Sequence, residues 1–128
     1  MKPSTREGVE KAKADLATAG RELRARRQPN YDAAAFHAQQ CVEKYLKARL
    51  VQSNIRFPKI HDLDQLLDLC LPREPLWSAF RPILLELSSY ALAYGYPGES
   101  ATRELAKAAV ANCKIIHQPI RTSLGLPP

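Results

Sequence analysis

Apolar side chains recur at every third or fourth position along most of the chain, which is the spacing of one face of an α-helix. The first such segment shows this spacing at Val9, Ala12, Leu16, Ala19 and Leu23. Ser4 and Glu7 have the spacing of a capping box, so we expect the first helix to begin at Ser4. It should end before Pro29, after a cluster of arginines that suits the exposed carbonyls of a helix C-terminus.

The same period predicts a second and a third helix. The second begins at Asn30 or Tyr31 and runs to about Ser53. The third begins near His61 and Asp62, where the Asp62 carboxylate can accept hydrogen bonds from the free amides of the first turn. Pro72 follows the apolar positions of this segment and should end the helix. A loop over residues 54–60 connects the two.

Two more helices are predicted in the second half of the chain. The fourth starts at Pro75 and shows an amphipathic pattern at Leu76, Phe80, Leu84 and Leu87. The segment Tyr96-Pro97-Gly98 breaks it. The fifth covers about residues 100–124, and Pro119 should kink it or end it early, because proline lacks the amide that the helix needs.

These segments predict the architecture. Strand patterns are absent, and long helices with short connections pack antiparallel. We therefore expect an all-α, up-down bundle of about five helices. The length of 128 residues fits one domain, 1–128, with a tail from about residue 124.

Composition narrows the classes of function. Nineteen Lys and Arg against 13 Asp and Glu give a net charge of +6, which favours an anionic partner such as nucleotide or RNA. Cys41, Cys70 and Cys113 each fall within an apolar stripe, so buried, reduced thiols are expected. No metal-ligand spacing or phosphate-binding glycine loop occurs, and we expect no metal and no cofactor. Without a signal-peptide core or a membrane-length apolar run, a cytoplasmic location and no membrane contact are expected.

The central part of the chain resembles the HEPN family (higher eukaryotes and prokaryotes nucleotide-binding domain). One segment carries Phe36-His37-x-Gln39-Gln40-x-x-Glu43-Lys44-x-Leu46-Lys47-Ala48. After a loop follows Pro58-x-x-His61-Asp62-Leu63, and later Tyr94-x-Tyr96-Pro97-Gly98. The resemblance implies a HEPN-like bundle of four or five helices that often forms a homodimer. It also implies a frequent partnership with small nucleotidyltransferase proteins in two-gene toxin–antitoxin arrangements.

Some members of the family are metal-independent ribonucleases, and this chain departs from their pattern. Those members use an Arg followed four to six residues later by a His, late in the bundle, where two copies meet. Here Gly95 fills a position that commonly holds Arg, and positions 110–112, ahead of His117, hold Val, Ala and Asn. The departure favours a non-catalytic binding module over a ribonuclease.

One pair does match the ribonuclease spacing, Arg56 and His61. It precedes the third helix instead of lying late in the bundle. With 11 Arg and three His in the chain, chance alone gives roughly 0.8 such matches. The alternative is that His61 and Asp62 cap the third helix.

A polar stripe on the second helix is the candidate binding face: His37, Gln40, Lys44 and Lys47. Lysines attract phosphate, and the Gln and His side chains can form hydrogen bonds with a ligand. His61 and Tyr96 join this candidate site for nucleotide or RNA. The alternative is that the stripe is the solvated back of an amphipathic helix.

The two ends of the chain are basic. Residues 1–30 hold eight Lys and Arg against four Asp and Glu, and the fifth helix from Leu105 onward carries Lys107, Lys114 and Arg121 without an acid. If these ends adjoin, they form a surface suited to phosphate backbones. Three functions therefore stay open: a nucleotide- or RNA-binding module beside a nucleotidyltransferase, an atypical ribonuclease toxin, and a structural dimerisation scaffold.

Overall fold

The computed structural model describes residues 1–93 and 97–128 and confirms the all-α prediction. Its helices are α1 (Pro3–Arg24), α2 (Tyr31–Gln52), α3 (Leu63–Cys70), a short 3-10 helix (Pro75–Phe80), α4 (Arg81–Ala93) and α5 (Arg103–Ser123). No strand occurs within the described residues. No helix among them is long and apolar enough to cross a membrane.

Helix α2 is the centre of the bundle, since α1, α3, α4 and α5 all pack against it. Its contact with α1 is the most extensive, and small side chains allow it: Ala12, Ala19 and Ala38 are fully buried. A Cβ at Gly8 would lie 3.4 Å from the Cβ of Ala48, so the two backbones approach closely there. Close approach increases the dispersion contacts that hold the pair together.

One apolar core runs through the bundle, and each of the five helices contributes to it. Its largest fully buried side chains include Tyr45, Leu46, Leu50, Leu63, Leu67, Leu87 and Ile116. Each buried leucine or isoleucine contributes about 1.5–3 kcal/mol relative to an exposed position. Cys41, Cys70 and Cys113 are buried free thiols, as the apolar pattern predicts. Burial raises the pKa of the Cys70 thiol to about 12.

Two of the predicted helix starts are confirmed and one is wrong. The side chain of Asn30 accepts from the amide of Ala33 at 2.9 Å, and that of Asp62 accepts from the amide of Asp64 at 2.9 Å. Ser4, by contrast, lies inside α1, whose cap position is Lys2. Proline in the first turn starts this helix instead, because its fixed φ is helical and its missing amide is not needed there.

The fourth predicted helix begins differently from the expectation. Residues 75–80 form a 3-10 helix, whose tighter winding changes which side chains face inward. Leu76 is therefore 87% exposed, and Trp77 is buried in its place. Leu84 and Leu87 are fully buried, as predicted.

Pro119 lies inside α5, which continues to Ser123 and does not end early. Ile116 and Ile120, on either side of it, are fully buried in the core. Their burial contributes about 3–6 kcal/mol together, which offsets the roughly 3 kcal/mol cost of an interior proline.

Candidate functional site

The first half of the predicted binding stripe is joined to a buried carboxylate of α1. Asp15 is 8% exposed. Nδ1 of His37 donates to its Oδ1 at 2.8 Å, and Nζ of Lys44 donates to its Oδ2. Because a carboxylate can only accept, His37 and Lys44 are the donors in these bonds. Asp15 therefore links α1 to α2 through both side chains.

The second half of the stripe meets another buried carboxylate, that of Glu43. Nζ of Lys47 lies 3.2 Å from Oε2 of Glu43, one helical turn earlier on α2. Nδ1 of His61 donates to the same oxygen at 3.1 Å, from the loop before α3. Nζ of Lys47 also lies 5.9 Å from the ring centre of Phe57 in that loop. Glu43 thus fastens the loop onto α2.

Most of the predicted site is therefore occupied by contacts within the protein. The lysine charges of the stripe are balanced by Asp15 and Glu43, and Nε2 of Gln40 donates to Oε1 of Gln39 at 3.1 Å. Tyr96, the remaining residue of that prediction, lies outside the described residues. A binding face on this stripe stays a prediction, although its two lysines have little unbalanced charge to offer a phosphate.

The candidate pair Arg56 and His61 does not share the cavity that lies beside His61. A cavity of about 570 Å³ beside His61 is lined by Gln39, His61, Asp62, Asp64, Leu85, Ser88 and Ser89. Arg56 is exposed and does not line it. Asp62 adds a negative charge to the cavity, which disfavours phosphate, whereas the charge of Asp64 is balanced by Arg81. Asp62 caps α3 as predicted, whereas His61 bonds to Glu43 instead of to the helix.

A different surface carries the charge expected of a phosphate site. Between α1 and α5 lies a groove of about 440 Å³, called here the basic groove. It is lined by Lys13, Leu16, Ala17, Gly20, Arg24, Tyr45, Lys114, His117, Arg121 and Pro128. No carboxylate side chain from the described part of the chain lines it. Four permanent cations therefore face one concave surface.

The positive charges of the basic groove are largely uncompensated. Arg121 donates to two neutral oxygens, the Tyr45 hydroxyl at 3.1 Å and the Pro127 carbonyl. Lys13 has Glu10 at 3.6 Å, but both side chains are more than half exposed, so the pair is weak. Arg24 and Lys114 form no ion pair with any carboxylate within residues 1–93 and 97–128. Arg24 and Lys114 can thus attract an anion without losing an ion pair, and Arg121 would exchange only neutral acceptors.

The pKa of His117 is affected by the positive charge of the basic groove. Burial, followed by the charges of Arg121 and Lys114, lowers the pKa of His117. Its Nδ1 is buried and has no hydrogen-bond partner among the described residues. Its ring lies 5.8 Å from that of Tyr45, whose pKa is raised chiefly by burial. An anion in the groove would favour the protonated form of His117.

Gly20 shapes the floor of the basic groove. A Cβ built at this position would lie 2.8 Å from Nη1 of Arg24. The glycine therefore leaves room for the Arg24 guanidinium to fold back over α1, toward the other cations. The sequence does not reveal this role, because Gly20 lies inside an alanine-rich helix and no turn or loop motif marks it.

Packing brings the two basic ends of the chain together, so that they can form one surface for phosphate. Arg24 from the first end meets Lys114 and Arg121 from the fifth helix. Lys107, the other basic residue noted there, does not line the groove. Lys13 also belongs to the first basic end, whereas Tyr45 and His117 were not linked to this surface by the sequence. Nothing in the sequence marks these positions as neighbours, because they come from three helices.

Comparisons with known proteins agree with the fold. A family model described as HEPN domain matches residues 5–122. No curated protein and no solved structure matches the chain significantly. Within the described residues, no group of His, Cys, Asp and Glu is placed to hold a metal ion. Because the family match spans nearly the whole chain, the protein belongs to the HEPN domain family of nucleotide- and RNA-binding helical modules.

Proposed function

We propose that this HEPN protein is a non-catalytic binding module that holds the phosphates of nucleotide or RNA in the basic groove. The observation that supports the proposal is the convergence of Lys13, Arg24, Lys114 and Arg121 on one concave surface without a lining carboxylate side chain among the described residues. The family assignment supports the ligand class.

The chemistry of the groove suits phosphate. Arginine presents a planar set of donors that matches phosphate oxygens, and lysine adds a mobile point charge. Arg24 and Lys114 come from different helices and approach the groove from its two sides. When the cations of the groove neutralise RNA phosphates, the counterions condensed on the RNA are released into solution. The affinity should therefore fall as the salt concentration rises.

The magnitude of this salt dependence can be estimated. Four phosphate contacts on a single strand give a slope of about −2.8 in log affinity against log salt. Raising salt from about 50 to about 200 mM should then reduce affinity about 50-fold. With two contacts removed, the slope is about −1.4, and the same change should reduce affinity only about sevenfold.

The test compares variants by fluorescence anisotropy with labelled single-stranded RNA. The double variant Lys13→Ala and Lys114→Ala should weaken binding and change the slope of log affinity against log salt from about −2.8 to about −1.4. Both residues are exposed, so folding should be unaffected. The matched control, Lys59→Ala and Arg73→Ala, removes two exposed cations outside the groove and should bind like the wild type.

The same assay separates the basic groove from the stripe on α2. If the double variant Lys44→Ala and Lys47→Ala loses affinity while the groove variant does not, the binding face lies on the stripe. Binding of neither nucleotide nor single-stranded RNA at low salt contradicts the proposal and leaves the structural scaffold as the function.

The proposal includes two partners that the family resemblance suggests. One is a second copy of the chain, packed through α4 and α5, where Leu85 and Ile115 are 50% and 53% exposed. Large apolar side chains at this exposure are suited to burial in an interface. The other is a small nucleotidyltransferase protein in a toxin–antitoxin-like pair, and the identity of the adjacent gene tests it directly.

A metal-independent ribonuclease is the alternative function, and one contact favours it. Because Nδ1 of His61 bonds to the buried Glu43, its Nε2 is left available beside a cavity, as in a carboxylate–histidine pair. Cleavage also needs a cation for the charge that develops on phosphorus. Arg81 begins α4, the helix that supplies Leu85 to the wall of this cavity. Its guanidinium is already paired with Asp64 and Asp68. We therefore keep the binding module as the proposal.

A further inference from the structure

A second basic cavity adjoins the basic groove at the C-terminal end of α1. This end cavity has a volume of about 430 Å³. It is lined by Leu23, Arg24, Ala25, Arg26, Tyr31 and Arg103. Arg24 lines both cavities, so the two concave surfaces meet at this side chain.

The end cavity is positively charged, as the basic groove is. Arg26 and Arg103 are exposed, and neither forms an ion pair with a carboxylate in the part of the chain that the structure describes. No carboxylate side chain among the described residues lines the end cavity. Together the two cavities present Lys13, Arg24, Arg26, Arg103, Lys114 and Arg121.

These cations are spread along the bundle instead of being gathered at one point. The backbones of Lys13 and Arg24 are separated by about 16 Å along the axis of α1, and the Arg24 guanidinium, which folds back beside Gly20, lies about 10 Å along the axis from Lys13. Arg26 lies beyond the end of the helix and lines only the end cavity of the two. A single mononucleotide places its phosphates at one location and leaves the far cations without a partner. A strand with regularly spaced phosphates can contact both cavities.

Tyr31 adds a feature that a plain anion site does not need. It is the first residue of α2, it is half-buried, and it lines the end cavity beside Arg26 and Arg103. An aromatic ring next to cations is the combination that binds unpaired bases, because every base has a face that can stack. A paired duplex keeps its bases inside and cannot use this ring.

We propose that the basic groove and the end cavity form one continuous track for single-stranded RNA, with Arg24 at the junction and Tyr31 as the stacking surface for a base. This inference rests on the proposed function and narrows the ligand from nucleotide or RNA to single-stranded RNA. The Lys13 end holds phosphate alone, whereas the Tyr31 end holds phosphate and base.

The first arm of the test varies the length of the ligand. Adenosine monophosphate and oligoadenylates of about two to about eight nucleotides are titrated against the wild-type protein. Affinity should rise with length until the strand reaches both cavities, and should then level off. A duplex of the same sequence should bind at least about tenfold more weakly than the single strand.

The second arm removes the end cavity alone. The double variant Arg26→Ala and Arg103→Ala should weaken the longest oligoadenylate more than it weakens adenosine monophosphate, because the strand also contacts the basic groove. Its salt slope should be smaller by about 1.4, which is about 0.7 for each lost phosphate contact. Tyr31→Phe should retain oligoadenylate affinity, and Tyr31→Leu should lower it about tenfold, because only the phenylalanine can stack. Circular dichroism confirms that each variant keeps its helices.

The outcomes separate the track from the proposed function. If the monophosphate binds as tightly as every oligoadenylate, or if the end-cavity variant binds all lengths like the wild type, the track is wrong and the basic groove alone is the nucleotide site. If polyglutamate binds as tightly as the longest oligoadenylate, the surface recognises acidic polymers in general and the track is also wrong. If no nucleotide or RNA binds, both proposals fail.

Discussion

Replacing Lys44 and Lys114 with methionine should have opposite consequences, although both are lysines of the helical bundle. Methionine keeps most of the apolar stem and removes the charge. Lys44 lies on the α2 stripe and contacts the buried Asp15, whereas Lys114 is exposed in the basic groove. Lys44→Met should lower stability and leave RNA affinity nearly unchanged. Lys114→Met should lower RNA affinity and leave stability nearly unchanged.

The expected loss of stability follows from the burial of the Lys44 pair. Removing one partner of a fully buried pair costs about 3–5 kcal/mol, because the other charge stays unpaired. The Asp15 side chain is 10% exposed, but that of Lys44 is 33% exposed, and His37 still donates to Asp15. Solvent screening therefore reduces the expected loss to about 1–2 kcal/mol. In a domain of 128 residues this lowers Tm by about 5 °C.

Urea unfolding followed by fluorescence measures the stability half of this prediction. Trp77 is the single tryptophan and is buried, so its emission should change when the core opens. Lys114→Met should shift the free energy of unfolding by less than about 0.5 kcal/mol, as is usual for an exposed side chain. Anisotropy with single-stranded RNA measures the other half.

The behaviour of Lys44→Met distinguishes a structural contact from a binding face. If Lys44→Met unfolds at the wild-type urea concentration and binds RNA more weakly, the contact with Asp15 is not structural and the stripe is a binding face. Asp15→Asn is the matched variant on the other side of the contact. It should lose stability as Lys44→Met does, because its neutral amide no longer balances the charge of Lys44.

Three further predictions concern pH, assembly and catalysis. Because burial lowers the pKa of His117 in the folded state, its contribution to stability is complete above the unfolded value of about 6.5 and is lost as pH falls through the lower folded value. The His117→Gln variant should therefore lose less stability than the wild type between about pH 7 and pH 5 in urea titrations. Sedimentation at micromolar concentration should show a homodimer, and a clean monomer contradicts the proposed α4 and α5 interface. Purified protein incubated with RNA and a chelator should leave the RNA intact, and cleavage that disappears in His61→Ala promotes the ribonuclease alternative.

Much of the secondary structure could be predicted from the sequence because its causes are local. A repeat of apolar positions at helical spacing specifies which face of a helix is buried, whatever that face packs against. Asn30 and Asp62 cap their helices through amides only two or three residues away, so their roles are visible in a short stretch of sequence. Leu84 and Leu87 are buried, as their spacing predicts.

The failures arise where two local patterns compete or where packing overrides one of them. Ser4 satisfies the capping-box pattern, but Pro3 starts the helix one residue earlier. Leu76 fits the α-helical period, yet the 3-10 winding after Pro75 turns Trp77 inward instead. Pro119 is a helix breaker in isolation, and the core around Ile116 and Ile120 keeps the helix intact.

The candidate site depends on neighbours that the sequence does not specify. The period of α2 shows that His37 and Lys44 share a face, but not that Asp15 of α1 is buried against them. The basic character of each end of the chain is plain from the sequence, and only the packing of α1 on α5 places Arg24 beside Lys114. Periodicity identifies a face, whereas the neighbour of that face is decided by how whole helices pack. The sequence alone thus determines a basic helical bundle, and the tertiary structure decides which of its charges are balanced and which face a ligand.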